Sequence, residues 1–168
     1  PIRWVVSLYD DEILDFDLGE CDPKILIGNK SKSHRLINEV VEIKSSNNYF
    51  GLMAKSGVLV KREERKEKID YLINQEAQSL SLNPDLSKRL LNELTDLVES
   101  PNLITCSFDK QFLNLPVEVL STVMKNHQRY VPLLKKDKTF SKLDLSSEEI
   151  LSTNFFVLSN GLIEFSNI

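Results

Sequence analysis

Histidine, cysteine and glycine are scarce in this chain, and each shortage closes off a class of chemistry. Its only histidines are His34 and His127, and its only cysteines are Cys21 and Cys106. There is no H-E-x-x-H, no paired cysteine spacing and no Cys–His pair, so a zinc site, a disulfide framework and a thiol nucleophile all lack their ligands. With five glycines the chain has no G-x-x-x-x-G-K-[ST] phosphate loop, no dinucleotide fingerprint and no G-x-S-x-G elbow. No apolar run approaches the roughly 20 residues that span a bilayer, and no signal-peptide pattern is present. Two unpaired cysteines fit a reduced, cytoplasmic compartment. Pro1 opens the chain inside a strand pattern without an initiator Met, which suggests a piece excised from a longer protein.

What is present is an ordinary folding composition, 41% hydrophobic and 27% charged over 168 residues, enough for a single domain spanning 1–168 with a real core. The net charge of −4 argues against a uniformly basic nucleic-acid binder. Its distribution is uneven. Lys30, Lys32 and Arg35 make 28–35 basic, five bases outweigh three acids in 61–68, and five outweigh one in 125–138. Such spots suit local phosphate contact on an acidic body; each is equally readable as a solvated turn or helix end.

The most informative stretch is 107–134. Phe108 and Phe112 form a short aromatic turn, Leu115-Pro116 opens a helix, where proline suits the first turn, and Val117, Leu120 and Met124 recur at helical spacing. His127 falls three residues after Met124 and so prolongs the buried edge. Lys125-Asn126-His127-Gln128-Arg129-Tyr130 then forms a polar, basic cluster before a strand over 130–134. The cluster has two readings: a histidine favoured by the negative end of a helix, or a recognition edge for nucleic acid or a neighbouring domain.

Along the rest of the chain, alternation over 2–9 and 14–18 predicts an antiparallel hairpin around Asp10-Asp11-Glu12. The acids at 10–17 lack calcium-loop spacing. A short strand at 24–27 precedes a polar turn over 28–35, where Lys32, His34 and Arg35 provide positive charge. A strand at 41–44, a helix over 46–55 closed by Gly57, and a strand at 58–60 follow. Arg62 opens a long helix with Ile69, Leu72, Ile73, Ala77 and Leu80 on one face. Asn83-Pro84 caps a second, with Leu86, Leu90, Leu91, Leu94, Leu97 and Val98 inward. Leu103–Phe108 reads as a strand through the core with Cys106 as a small buried residue. Residues 135–153 read as a loop or insertion containing a capping box at Ser146–Glu149, and 155–161 as a strand ending in a turn. About eight strands and four helices, in the order ββββαβααβαββ, give an α+β domain: mixed or antiparallel sheet layers with helices packed on them.

The run FDKQFLNLPVEVL…MKNHQRYVP resembles the beta subunit of the bacterial heterotetrameric glycyl-tRNA synthetase, whose pattern FD-x-x-FL-x-LP-x-EVL…M-x-x-HQ-x-Y-F-P is matched at Phe108, Asp109, Phe112, Leu113, Leu115, Pro116, Glu118, Val119, Leu120, Met124, His127, Gln128, Tyr130 and Pro132. Val131 stands where that family has phenylalanine. The family's N-x-[ST]-x-G-HR-F turn is met at Asn29, Ser31, His34 and Arg35, with Ser33 in place of its glycine and Leu36 in place of its phenylalanine. Glu64, Arg65, Lys66 and Ile69 match its E-R-K-x-x-I, and Ser159-Asn160-Gly161 its SNG. The resemblance covers the whole chain and perhaps a quarter of a complete beta subunit. The family's later His-Asp doublet is missing, so the resemblance implies an internal or N-terminal-half segment.

It further implies a fold similar to the editing-type domain of the phenylalanyl-tRNA synthetase beta subunit, and a cytoplasmic complex of two alpha and two beta chains. In that complex the alpha subunit uses ATP and Mg to activate glycine. The segment itself is then expected to bind no cofactor or metal, to carry no catalytic centre and to help position tRNA-Gly. The candidate contacts are Lys32, His34, Arg35, Arg65, Lys66, Lys125, His127, Gln128 and Arg129. The alternatives are a hydrolytic editing domain, less needed for glycine because a glycine-sized pocket excludes larger amino acids, and a purely structural interdomain or intersubunit scaffold.

Overall fold

The computed structural model describes residues 2–20, 22–136 and 146–161. They divide into two compact units, Pro1–Lys61 and Arg62–Ile168, where the composition had led us to expect one domain. Both mix helices with small sheets, as an α+β chain should.

In the first unit, β1 (Trp4–Val6) is followed by a two-residue hairpin of β2 (Leu8–Tyr9) and β3 (Glu12–Ile13). Asp10, at the turn, adopts φ +49, a left-handed conformation that Asp tolerates better than most residues. The predicted partner strand over 14–18 does not form. Leu14, Phe16 and Leu18 remain between 43% and 50% exposed, and β4 (Leu26–Gly28) takes the place beside β1 in parallel register, Trp4 opposite Leu26. The alternation was real, but it had no second layer to bury it.

The expected polar turn over 28–35 contains a strand, β5 (Lys30–Lys32), paired with β6 (Val40–Glu42). A 3-10 turn over Ser46–Asn48 leads into α1 (Tyr49–Lys55), and Gly57 at φ +80 closes it as predicted. Residues 58–60 form no strand. Ile43 and Met53 are buried at the centre of this unit.

The second unit begins with α2 (Arg62–Ser79), whose buried residues Ile69, Ile73 and Ala77 lie at the predicted spacing. Asn83 and Pro84 do not cap the next helix; they belong to an edge strand, β7 (Leu82–Pro84), where proline's missing donor costs nothing. The cap is Ser87, whose hydroxyl accepts from the Leu90 N–H at the start of α3 (Lys88–Leu97). Leu90, Leu94 and Val98 face inward, but Leu97 is 61% exposed.

β8 (Pro101–Ser107) is an edge strand rather than one through the core, and Cys106 on it is half-buried. A 3-10 turn (Lys110–Asn114) and α4 (Val117–Thr122) then run into a five-residue π-helical segment, Val123–His127. β9 (Val131–Lys135), a short α5 (Ser147–Ile150) and the ten-residue β10 (Leu151–Asn160) complete the order. Of the anticipated 135–153 loop, Lys135 ends β9 and Leu151–Thr153 belong to β10, while 137–145 lies outside the described residues. Ser146 and Glu149 form the capping box read from sequence, the Glu149 carboxylate accepting from the Ser146 N–H at 2.9 Å.

The sheet of this unit is antiparallel, in the order β7-β9-β10-β8. Pro132 sits in a central strand, and the β9–β10 register shifts between Leu151 and Phe155, next to the donor that proline lacks. Period-two alternation on β9 separates two cores. Val131 and Leu133 join Phe156 and the inward faces of α2 and α3. Leu134 joins Leu113, Val117, Ile150 and Leu151. None of the described helices is long and apolar enough to cross a membrane.

Candidate nucleic-acid interface

The nine predicted contacts fall in both units, and each unit is described by itself. In the first, Ser33 accepts from the Glu39 N–H at 2.8 Å and closes the loop that joins β5 to β6. His34 is at its centre with 0% exposure. Its N–H donates to the Ser56 carbonyl at the end of α1, its carbonyl accepts from Ile37 and Asn38, and its Nδ1 accepts from the Leu36 N–H. This overturns the expectation that His34 faces a ligand: a fully buried imidazole pins the loop, and a phosphate cannot reach it. Its neighbours do face outward. Arg35 is exposed, and the Lys32 ammonium lies 5.7 Å from the centre of the Trp4 ring, whose indole N–H donates to Ser31.

In the second unit, expected cations and others gather on and just before one element, α3. Arg62 grips Asp96 with both ends of its fork, 2.7 Å from Nε to Oδ1 and 2.9 Å from the terminal nitrogen to Oδ2. Arg65 donates to the Thr95 carbonyl at 3.0 Å, near the C-terminal end of α3 where carbonyls carry negative charge. Arg129 and Arg89 both bind the Glu93 carboxylate. The Lys125 ammonium is paired with Asp85, just before α3. Arg62, Arg65 and Arg129, far apart in sequence, thus meet along α3, with Lys125 held just before it.

The electrostatics follow. The guanidinium of Arg62 holds the Asp96 carboxyl below the usual carboxylate range, with Arg65 and Lys66 adding to the effect. Arg89 holds Glu93 down against an opposing cost of burial, and Arg129 adds a lesser pull in the same direction as Arg89. Five cations (Arg62, Arg65, Arg89, Lys125 and Arg129) meet three carboxylates (Asp85, Glu93 and Asp96), and Lys66 stands beside them.

His127 departs from its expected place. It is exposed, as is Gln128, because the helix widens to i→i+5 bonding after Thr122, with the Gln128 N–H donating to the Val123 carbonyl. That wider turn takes His127 off the face that carries Met124. Arg129 then adopts φ +58, which reverses the chain, and its guanidinium also donates to the Asn126 carbonyl.

Sequence reasoning missed Arg62, Arg89, Asp85, Glu93 and Asp96. Only Arg89 and Glu93 carried a local signal, an i,i+4 pair on one helix face. Arg62 and Asp96 are 34 positions apart, a pairing that no local pattern encodes.

The family model for the glycyl-tRNA synthetase beta subunit matches residues 1–164. The chain belongs to that family. Among curated relatives it is 39% identical to the glycine–tRNA ligase beta subunit of Trichodesmium erythraeum, over 100% of this chain and 23% of that protein. It is 36% identical to the one of Clostridioides difficile, over 96% of this chain and 21% of the relative, and 36% identical to the one of Synechocystis, over 82% and 19%. The chain thus spans about a fifth of the length of these relatives.

Proposed function

We propose that this segment helps position tRNA-Gly in a cytoplasmic glycyl-tRNA synthetase, without supplying catalytic groups. Activation of glycine with ATP and Mg is left to the alpha subunit, in an assembly of two alpha and two beta chains. The observation that carries the reading is the convergence on α3 of cations from two distant parts of the chain, in a member of this family. Phosphate contacts from Arg65, Lys66, Lys125 and Arg129 fit that rim, with His127 and Gln128 exposed beside it. Lys32 and Arg35 are the outward cations of the first unit.

A hydrolytic reading would rest on the histidines, and one of them is fully buried while the other is exposed on a helix end.

The test uses the assembled synthetase carrying Arg35→Glu, Lys66→Glu or Arg129→Glu. Each change should raise the KM for tRNA-Gly while leaving kcat nearly as it was. Each should also flatten the dependence of tRNA affinity on salt by about one counterion per lost contact. Unchanged tRNA affinity and salt dependence in all three variants would refute the proposal.

A further inference from the structure

The two edges of the second unit's sheet are guarded very differently. β7, at one edge, has three residues and ends on Pro84, the kind of short, proline-bearing strand that discourages further pairing. β8, at the other, is seven residues long, carries no charged side chain and runs against β10 without a bulge. Hydrogen bonds at both ends of that register fix which backbone groups it leaves over. The Phe108 N–H donates to the Thr153 carbonyl and the Gly161 N–H to the Ser100 carbonyl, both at 3.1 Å. In an antiparallel ladder, residues that bond the partner alternate with residues that point away, so Ile104 and Cys106 bond β10. Leu103, Thr105 and Ser107 then turn their N–H and C=O groups outward, where no strand of the described residues lies. Ile104 is 37% exposed and stands opposite Val157, so this part of the sheet also presents apolar side chains.

We infer that β8 is completed by a fifth strand, supplied by a part of the same beta subunit outside this segment. The chemistry of the occupant follows from the edge. Backbone donors and acceptors on every second residue are met by an extended segment that adds to the sheet. An edge without charge, with Ile104 exposed on it, suits apolar or β-branched side chains opposite rather than acids or bases. That the strand belongs to the same chain follows from size. Three outward residues offer too little surface for two free proteins, whose stable contacts bury roughly 1,200–2,000 Å². A strand tethered on the same chain has an effective concentration on the order of mM and needs no such area. The segment spans about a fifth of the length of its curated relatives, so a subunit of that length has ample chain to supply the strand. Such a strand ties the segment into its subunit whether or not the cations on α3 meet tRNA.

Amide hydrogen exchange, read residue by residue by mass spectrometry, tests this on the full-length beta subunit, diluted until it is monomeric, and again on the assembled synthetase. In the subunit alone, the outward amides of Leu103, Thr105 and Ser107 should already exchange as slowly as the ladder amides of Ile104 and Cys106. Exchange at the rate of open amides in both samples would overturn the inference. Protection that appears only with the alpha subunit or a second beta chain would overturn it too, since the strand would then come from another chain. Thr105→Pro removes one outward donor and leaves the bonds to β10 in place, proline being tolerated at such an edge position. It should speed exchange at Leu103 and Ser107 by about five-fold, the worth of one hydrogen bond, with Ile104 and Cys106 unchanged. Thr105→Val gives up only the side-chain bond to Glu76 and should exchange as wild type does. Unchanged exchange at Leu103 and Ser107 in a folded Thr105→Pro subunit would count against a bonded strand. If Thr105→Pro loosens Ile104 and Cys106 as well, the sheet itself has opened, and the wild-type comparison decides alone.

Discussion

Asn160 ties the end of α3 to the sheet, and its replacement tests how firmly the cationic rim is mounted. Its side-chain oxygen accepts from two successive backbone donors, the N–H of Glu99 at 3.0 Å and that of Ser100 at 2.9 Å. The Gly161 N–H returns a bond to the Ser100 carbonyl, closing the junction where Asn160 pairs with Pro101 at the last rung of β8 and β10. Asn160→Ala removes both side-chain bonds and supplies nothing in exchange. At roughly 1 kcal/mol of net contribution each, the loss is about 2 kcal/mol. In a folding unit of about a hundred residues that corresponds to a melting point lower by about 8 °C. Asn160→Asp keeps an acceptor in the same place, so at pH 7 it should melt within about 2 °C of wild type. Two N–H donors would hold its carboxyl below the ordinary range. Its advantage over alanine should therefore be fully present above about pH 4, the unfolded value, and should vanish as the pH falls through the lower folded one. Thermal melts of the three proteins at pH 7 and pH 3 decide it. If alanine and aspartate behave alike at pH 7, the side-chain acceptor does not hold this turn.

Two further outcomes follow from burial and charge. Phe156 has no exposed surface and lies in the core shared by α2, α3 and β9, so Phe156→Ala should cost about 3–5 kcal/mol in chemical denaturation; a loss below about 1 kcal/mol would mean the cavity collapses or the core is misplaced. The carboxyls of Glu93, Asp96 and Glu148 are all held low by cationic partners, Arg89, Arg62 and Lys110 respectively. Their contribution is complete above the unfolded carboxylate values near 4 and is lost as the pH falls through the lower folded ones. Melting temperature should drop in that acid window, and drop less in Asp96→Asn; parallel curves for the two proteins would show that the Arg62–Asp96 pair does not stabilise the fold.

Which parts of this chain could be read without coordinates depended on how far apart the partners lie. The 62–79 helix was legible because its core residues are three or four apart, and the Ser146–Glu149 box because it closes within one turn. The start of α3 was not. Asn83-Pro84 has the look of a cap, yet those residues pair with Leu134 and Leu133, about fifty positions away, and no local preference encodes that register. Hydrophobic alternation misled at 14–18, where the pattern was present and the burial was not. Of the site, the motif residues drew attention to 125–130 and 64–66, but the element on which they meet, and the carboxylates that hold them there, lie elsewhere in the chain.

Residues 123–130 show why those two motif segments belong together. A π-helical segment and a non-glycine residue at φ +58 follow each other directly, and the latter costs of order 1–3 kcal/mol by itself. What offsets that cost is specific: Lys125 on Asp85, Arg129 on Glu93 and Asn126, and the Tyr130 ring stacked on Phe155 at 5.0 Å. An uninterrupted α-helix would have needed neither irregularity, but it would have carried His127 onto the Met124 face and turned Arg129 away from α3. The irregular geometry is thus the condition for holding Arg129 against the same helix that Arg62 and Arg65 reach from α2, with Lys125 on Asp85 just before it. These few residues bring charge from one part of the sequence to meet charge from another.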